Sequence, residues 1–234
     1  MSPFRLHPLT HQSRAVITLL ASLTFALCVR AAESTNRPVL SEAHVLNQPA
    51  QDPAWRELFS KLGKPENRYS RFEERRYFAF RDKPVVLPGE IRIHPERGLS
   101  LSYSGPKAHV LIIDEKGVLM RDQRGRERAA PDDSRARAAT SALASILRFD
   151  LNALEKQFVV HGLREGDDWT LGFVPRDPSL TNTLGTIVVH GKAAALDKIE
   201  MLKSGEERIE ILITDAQSDV IFPMDVLKRF FRQG

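Results

Sequence analysis

The chain has 234 residues, 42% of them hydrophobic, with 34 Lys and Arg against 30 Asp and Glu. This composition is enough for a sizeable core, and the single cysteine excludes a disulfide framework. The formal net charge is +4, but residues 1–31 hold three arginines and no acidic residue, so the rest of the chain carries +1. A near-neutral chain offers no electrostatic case for binding nucleic acid.

The first 31 residues have the order of a cleavable export signal. Two arginines precede an apolar run over residues 15–29, and small residues follow it. Because a bilayer needs about 20 apolar residues, this run favours a signal peptide over a retained membrane helix. The bulky Leu27 disfavours the further alternative, a lipid on Cys28. We therefore expect residues 1–31 to be removed and the protein to reside in the periplasm.

Residues 32–51 are predicted to form a flexible leader, and residues 52–234 a single domain. The domain opens with a short amphipathic helix, for which Asp52 is a good N-cap and Gly63 a stop. The apolar residues of this helix recur at helical spacing on one face and are Trp55, Leu58, Phe59 and Leu62.

From Tyr69 onward the apolar period changes from 3.6 to 2, which predicts half-buried antiparallel strands. Residues that share a parity are Phe72, Phe78 and Phe80, then Ile91 and Ile93, then Leu99, Leu101 and Tyr103. The last three alternate with serines, which predicts that Ser100, Ser102 and Ser104 face solvent. A hairpin is predicted over residues 110–121, and a further strand over residues 123–130.

An Ala-rich block over residues 131–157 predicts two helices. The first begins near Pro131 and the second at the N-cap Asp150. Later strands are predicted over residues 158–163, 169–174, 184–190, 196–203 and 208–214, and a last helix over residues 223–231. The predicted fold class is therefore α+β, with about 11 strands in one curved antiparallel sheet and helices on one face.

Several segments of this pattern resemble the LolA-like periplasmic lipoprotein carriers. Gly89–Pro95 followed by Leu99–Pro106 resembles the family's strand pair, in which a Gly-acid start runs to a Pro and an alternating strand ends in aromatic-x-x-Pro. Leu111–Met120 is similar to the family's next hairpin, and Trp169–Leu171 with the 199–213 hairpin is similar to its late strands. The resemblance spans roughly residues 53–214.

The resemblance implies an incomplete, strongly curved antiparallel β-barrel with lid helices over an apolar cavity. Such carriers take acyl chains of a lipoprotein from an inner-membrane donor protein and pass them to an outer-membrane acceptor protein. The implied cavity residues are Phe78, Phe80, Ile91, Ile93, Leu99, Leu101, Tyr103, Trp169 and Leu171. The implied lid residues are Trp55, Leu58, Phe59, Leu143, Ile146 and Leu147. Family carriers hold the lid with an Arg before the Pro of the strand pair, where this chain has His94, with Arg92 nearby.

Burial of an acyl chain gives this interpretation a physical basis. Each methylene contributes about 0.8 kcal/mol, so a 16-carbon chain offers on the order of 12 kcal/mol before ordering costs. Helices that fill the empty cavity would lower the apparent affinity and so permit release. We therefore expect a monomeric carrier for the acyl chains of a lipoprotein or another lipid, without a cofactor.

Other functions have less support in the sequence. The same apolar stripes also fit an ordinary two-layer core. We expect no metal site, because no ligand spacing joins His94, His109, His161 and His190. We expect no enzyme either, because the sequence has neither a nucleophile elbow nor a phosphate-binding loop. Either an anionic partner site or a solvated hairpin edge would explain the run Arg121, Arg124, Arg126 and Arg128. The alternative function is a non-transporting binding or adaptor module of an envelope complex.

Overall fold

The computed structural model of the protein describes residues 40–106, 108–129, 134–203 and 207–233, with the backbone alone at 134–137. These residues all belong to one unit, Thr35–Gly234. The predicted signal peptide, most of the predicted leader and the predicted helix start at Pro131 lie outside the described residues.

Eleven antiparallel strands among the described residues form one sheet. They are β1 (Arg68–Tyr77), β2 (Val85–His94), β3 (Gly98–Tyr103), β4 (His109–Asp114), β5 (Gly117–Asp122), β6 (Glu127–Ala129), β7 (Phe158–Glu165), β8 (Asp168–Pro175), β9 (Thr186–Lys192), β10 (Ala195–Leu202) and β11 (Arg208–Ser218). The strand order is β6-β5-β4-β3-β2-β1-β11-β10-β9-β8-β7, so β6 and β7 form the two edges and the sheet is not closed into a barrel. The predicted α+β class with an open antiparallel sheet is confirmed.

The described helices are α1 (Pro53–Leu62), α2 (Ser134–Arg148), α3 (Leu151–Gln157), α4 (Pro178–Leu184) and α5 (Met224–Phe230). Asp52 caps α1 by accepting a hydrogen bond from the Ala54 amide at 2.9 Å. Asp150 caps α3 by accepting one from the Ala153 amide at 3.2 Å. The sequence predicted all of these helices except α4, whose last residue had been assigned to the start of a strand.

The two faces of the sheet are covered by different parts of the chain. We call the face beneath α1–α4 the inner face and the opposite one the outer face. Cross-strand partners share a face, and Leu101 is paired with Ile91 on one side and Leu111 on the other. Ile91 and Leu101 belong to one apolar core with buried residues of α1–α4, and Leu111 packs against that core. The inner face is therefore the main core of the domain.

The C-terminal segment, α5 with Phe231, covers the outer face of β2–β5. Phe231 is fully buried there. The Arg121 guanidinium on β5 donates to the carbonyls of Lys228 at 3.1 Å and Phe231 at 3.2 Å, and it pairs with Glu127 at 2.6 Å. A guanidinium that binds the last carbonyls of a helix stabilises that helix end. Arg121 is therefore a docking residue for the C-terminal segment rather than part of a solvated edge.

This covering segment overturns the prediction that the helices lie on one face of the sheet, because α5 lies on the face opposite α1–α4. It also overturns one prediction from strand alternation. Ser100 lies on the outer face and is fully buried, whereas the pattern of β3 predicts that it faces water. Alternation identifies which residues share a face, but it does not show whether a distant segment packs over that face.

A further correction concerns Phe78 and Phe80, which the sequence pattern places in a strand with inward side chains. β1 ends at Tyr77, and the Arg81 amide donates to the Phe78 carbonyl at 3.0 Å in a turn. The rings of Phe78 and Phe80 stack with centroids 5.4 Å apart, and Phe80 is 80% exposed. The assignment to a strand is wrong because the chain reverses before the alternation can continue. The strand predicted over residues 123–130 is also shorter, covering Glu127–Ala129.

Candidate functional site

The inner face brings together most of the side chains that the sequence assigns to a cavity and its lid. The buried members of the predicted cavity set are Ile91, Leu99, Leu101, Trp169 and Leu171, with Ile93 and Tyr103 partly buried against them. The predicted lid residues enter the same core from the helices, with Trp55, Leu58, Phe59, Ile146 and Leu147 buried and Leu143 partly buried. The helices therefore fill much of the inner face in this structure.

A cavity of about 390 Å³ remains where the C-terminal ends of α1 and α2 meet the sheet. We call it the apolar cavity, because its walls include Leu62, Ile91, Ile93, Leu147, Phe149, Leu196 and Ile213. Polar side chains line its rim and include Lys61, Lys64, Glu66, Arg68, Gln217 and Ser218. A volume of this size lies within the range of small-molecule sites, about 300–1,000 Å³.

A second cavity of about 340 Å³ adjoins the apolar cavity. The two have a common wall, formed by Lys64, Glu66, Arg68, Ile93 and Phe149. The second cavity is also lined by Arg148 and Asp150 and carries more charged side chains, so we call it the charged cavity.

Phe149 stands at the wall common to both cavities and joins α2 to α3. It is 4% exposed, and its ring meets Trp169 edge-on with centroids 6.2 Å apart. Its φ of 51° lies in the left-handed region, which is uncommon for a bulky residue and costs on the order of 1–3 kcal/mol. The packing of the ring therefore holds a strained backbone between the two helices.

Two arginines from the sheet hold α1 over the inner face. Arg68 on β1 donates to the carbonyl of Lys64 at 2.9 Å and to that of Lys61, in the last turn of α1, at 3.4 Å. Arg164 on β7 donates to the carbonyl of Ala54, near the start of the helix, and its guanidinium lies 5.8 Å from the Trp55 ring centre. α1, a predicted lid helix, is therefore held at both ends by arginines that the sequence pattern does not identify.

Arg92 and His94, the predicted lid-holding candidates, face the other way. The Arg92 guanidinium pairs with Glu90 at 2.5 Å and lies 3.7 Å from the ring centre of Phe230, beside α5. The His94 ring lies 5.8 Å from that of Phe231. Both residues contact the C-terminal segment on the outer face, because even-numbered positions of β2 point away from α1–α4.

His94 gives a testable pH dependence to this outer-face contact. Its Nδ1 accepts hydrogen bonds from the amides of Glu96 at 3.1 Å and Arg97 at 3.3 Å. Burial and the positive charge of Arg97 lower the pKa of His94 from its usual 6.5, against a smaller opposing effect of Glu96. The unfolded chain then binds the proton more readily, so the His94 contribution to stability is complete above pH 6.5 and falls as the pH decreases below it.

Urea titrations should therefore show lower stability at about pH 5.5 than at about pH 7.5. His94→Asn keeps a side-chain acceptor without titrating, so its stability should change less between the two conditions. An identical pH dependence in both proteins would show that the His94 contact does not contribute.

Tyr103 is not simply an apolar lining residue. Its hydroxyl donates to Oε2 of the buried Glu74 at 2.6 Å, and Arg76 pairs with the same carboxylate. Burial, and after it the Glu74 charge, raise the pKa of Tyr103. Its ring stacks on that of His109 with centroids 4.8 Å apart. The inner face thus contains a satisfied polar cluster, which alternation alone does not distinguish from apolar lining.

The histidines singled out in the sequence are dispersed. His161 contacts the carbonyl of Ser41 at 3.1 Å, while His190 pairs with Glu200 at 2.9 Å on the outer face. In the part of the chain that the structure describes, no cluster of His, Cys, Asp or Glu has the size of a metal site. Within the same residues, no helix combines the length and apolar character needed to cross a membrane.

Several solved structures are similar to this chain. MucB in complex with MucA(peri) aligns at 11% identity and a TM-score of 0.42, covering 75% of this chain and 58% of MucB. The LolA superfamily protein NE2245 from Nitrosomonas europaea aligns at 8% identity and a TM-score of 0.41, covering 73% of this chain and 96% of that protein. LprF from Mycobacterium bovis aligns at 13% identity and a TM-score of 0.34, covering 72% and 96%.

No curated protein matches the sequence. A sequence model of the family described as "Outer membrane lipoprotein carrier protein LolA-like" matches residues 49–225. The match includes the sheet from β1 to β11, the helices α1–α4 and the residues around both cavities. The chain belongs to the family of LolA-like outer membrane lipoprotein carrier proteins.

Proposed function

We propose that the protein binds the acyl chains of a lipoprotein or another lipid in the apolar cavity and carries them across the periplasm. The cavity itself carries this proposal, since about 390 Å³ lies between the ends of α1 and α2 and an apolar sheet face. Membership of the LolA-like family supports it. Burial of each methylene there contributes about 0.8 kcal/mol, so affinity needs no specific polar contact.

The arrangement of the lid supports uptake and release by the same site. α1 and α2 place apolar residues on the inner face, where an acyl chain longer than the cavity would have to lie. Cargo therefore competes with the lid, and the closed fraction of the protein lowers the apparent affinity. An inner-membrane donor protein would load the opened site, and an outer-membrane acceptor protein would unload it.

Native mass spectrometry of the exported protein, extracted gently from the cell envelope, tests the proposal. A carrier should retain a lipidic species of defined mass, and a fluorescent fatty acid should bind the delipidated protein at low stoichiometry. An envelope protein retained in place of lipid, with no change in probe emission, would instead support the adaptor function. The same spectrum tests export, because the mature chain is expected to begin at Ala32 or within a few residues of it.

A further inference from the structure

The charged cavity is lined by Arg148, whose guanidinium is not fully paired among the described residues. The Nε atom of Arg148 is fully buried, and no hydrogen-bond partner for it lies among the described residues. Its Nη2 atom is packed close to Gly98, where an added Cβ would come within 3.1 Å. Burying a charged group whose donors are not all paired is costly, so an anion in the cavity would stabilise the Arg148 guanidinium through its charge, without reaching the enclosed Nε.

The two carboxylates of the charged cavity, Glu66 and Asp150, already have partners other than Arg148. The Glu66 carboxylate binds Nζ of Lys64 at 2.6 Å and Nε of Arg68 at 3.3 Å. These partners, Lys64 first, lower the pKa of Glu66, so it stays ionised. Asp150 accepts the hydrogen bond that caps α3. The cavity is lined by three cations and two carboxylates, and both carboxylates already have partners. The positive charge of Arg148 is therefore left without a matching carboxylate, so the cavity favours an anion.

We infer that the charged cavity binds the anionic head group, a phosphate or carboxylate, of an amphiphile whose chain occupies the apolar cavity. A guanidinium is the side chain best suited to two-oxygen anions, because its donors form a planar fork. The wall common to both cavities, with Phe149 and Ile93, places chain and head group side by side. This inference rests on the proposed function and adds the class of cargo.

Matched amphiphiles test the head-group preference in the whole mature protein. Hexadecyl phosphate, hexadecanol and hexadecyltrimethylammonium share one chain and differ in charge, and each can be titrated against a bound neutral fluorescent lipid. We expect hexadecyl phosphate to bind about tenfold more tightly than hexadecanol, and the cationic probe to bind most weakly. Equal affinities for the three probes would overturn the inference but leave the proposed function standing. If none of them binds, the proposed function fails as well.

Substitutions in the charged cavity separate recognition from folding. Arg148→Met keeps an apolar stem and should remove most of the tenfold preference while hexadecanol affinity stays constant. Glu66→Gln removes a competing carboxylate and should raise phosphate affinity severalfold, a gain that misfolding cannot produce. The control Arg124→Met changes an exposed arginine at the β5–β6 turn and should alter neither affinity.

Three results would overturn the inference. Arg148→Met could weaken hexadecyl phosphate and hexadecanol binding equally, which would make the arginine a packing residue. Glu66→Gln could leave phosphate affinity unchanged, which would place the head group elsewhere. Inorganic phosphate could bind as tightly as hexadecyl phosphate, which would make free phosphate the ligand and the acyl chain irrelevant to this cavity.

Discussion

Ala216→Trp should remove most lipid-probe binding while leaving the fold intact. Ala216 lies on β11 at the mouth of the apolar cavity and is exposed, so a larger side chain there disturbs no packed core. An indole placed at the mouth would occupy space that an acyl chain must cross, within a cavity of only about 390 Å³. We expect the dissociation constant for a fluorescent fatty acid to rise at least about tenfold, equivalent to about 1.4 kcal/mol.

The control for this variant is Ala129→Trp, at an exposed alanine on the edge strand β6 and not among the cavity residues. Its probe affinity should equal that of the wild type, and both variants should melt within a few degrees of the wild type. If Ala216→Trp binds the probe normally, the acyl chain enters elsewhere and the apolar cavity is not the cargo site.

Strand and helix positions followed from local patterns, because period-2 alternation and helix caps are properties of neighbouring residues. Ile91, Leu99 and Leu101 lie inward as the alternation predicts, and Asp52 caps α1. The failures came from long-range packing or local turns. Ser100 is buried because the C-terminal segment covers it, and Phe80 is exposed because the chain turns after Tyr77.

The candidate site was less predictable than the fold. Alternation identifies the inward face, but it does not show which inward side chains touch helices and which border empty space. Of the predicted cavity residues, Ile91 and Ile93 line the apolar cavity, whereas Leu99 and Leu171 are covered by packed core. The arginines that hold α1 could not be assigned from the sequence either. Arg68 binds backbone carbonyls at a helix end, and the sequence pattern does not identify such partners.

Trp55→Ala should lower the stability of the protein and at the same time raise its affinity for a neutral lipid probe. Trp55 is 5% exposed and packs so closely on β7 that a Cβ at Gly162 would come within 2.5 Å of its ring. Removing a buried indole costs about 3–5 kcal/mol, and in a chain of this length that corresponds to a fall in melting temperature of roughly 10 °C.

The affinity should change in the opposite direction, because in the proposed function the lost contacts belong to the closed lid. If α1 competes with cargo, weakening it raises the fraction of molecules ready to bind, and we expect an affinity gain of about fivefold or more. Phe231→Ala is the matched control, since it removes a fully buried ring on the outer face and should lower the melting temperature without raising affinity. Melting curves and probe titrations on the same samples decide the matter. A Trp55→Ala variant that loses stability and binds no better than Phe231→Ala would mean that α1 is a fixed wall, and release would then require a different moving element.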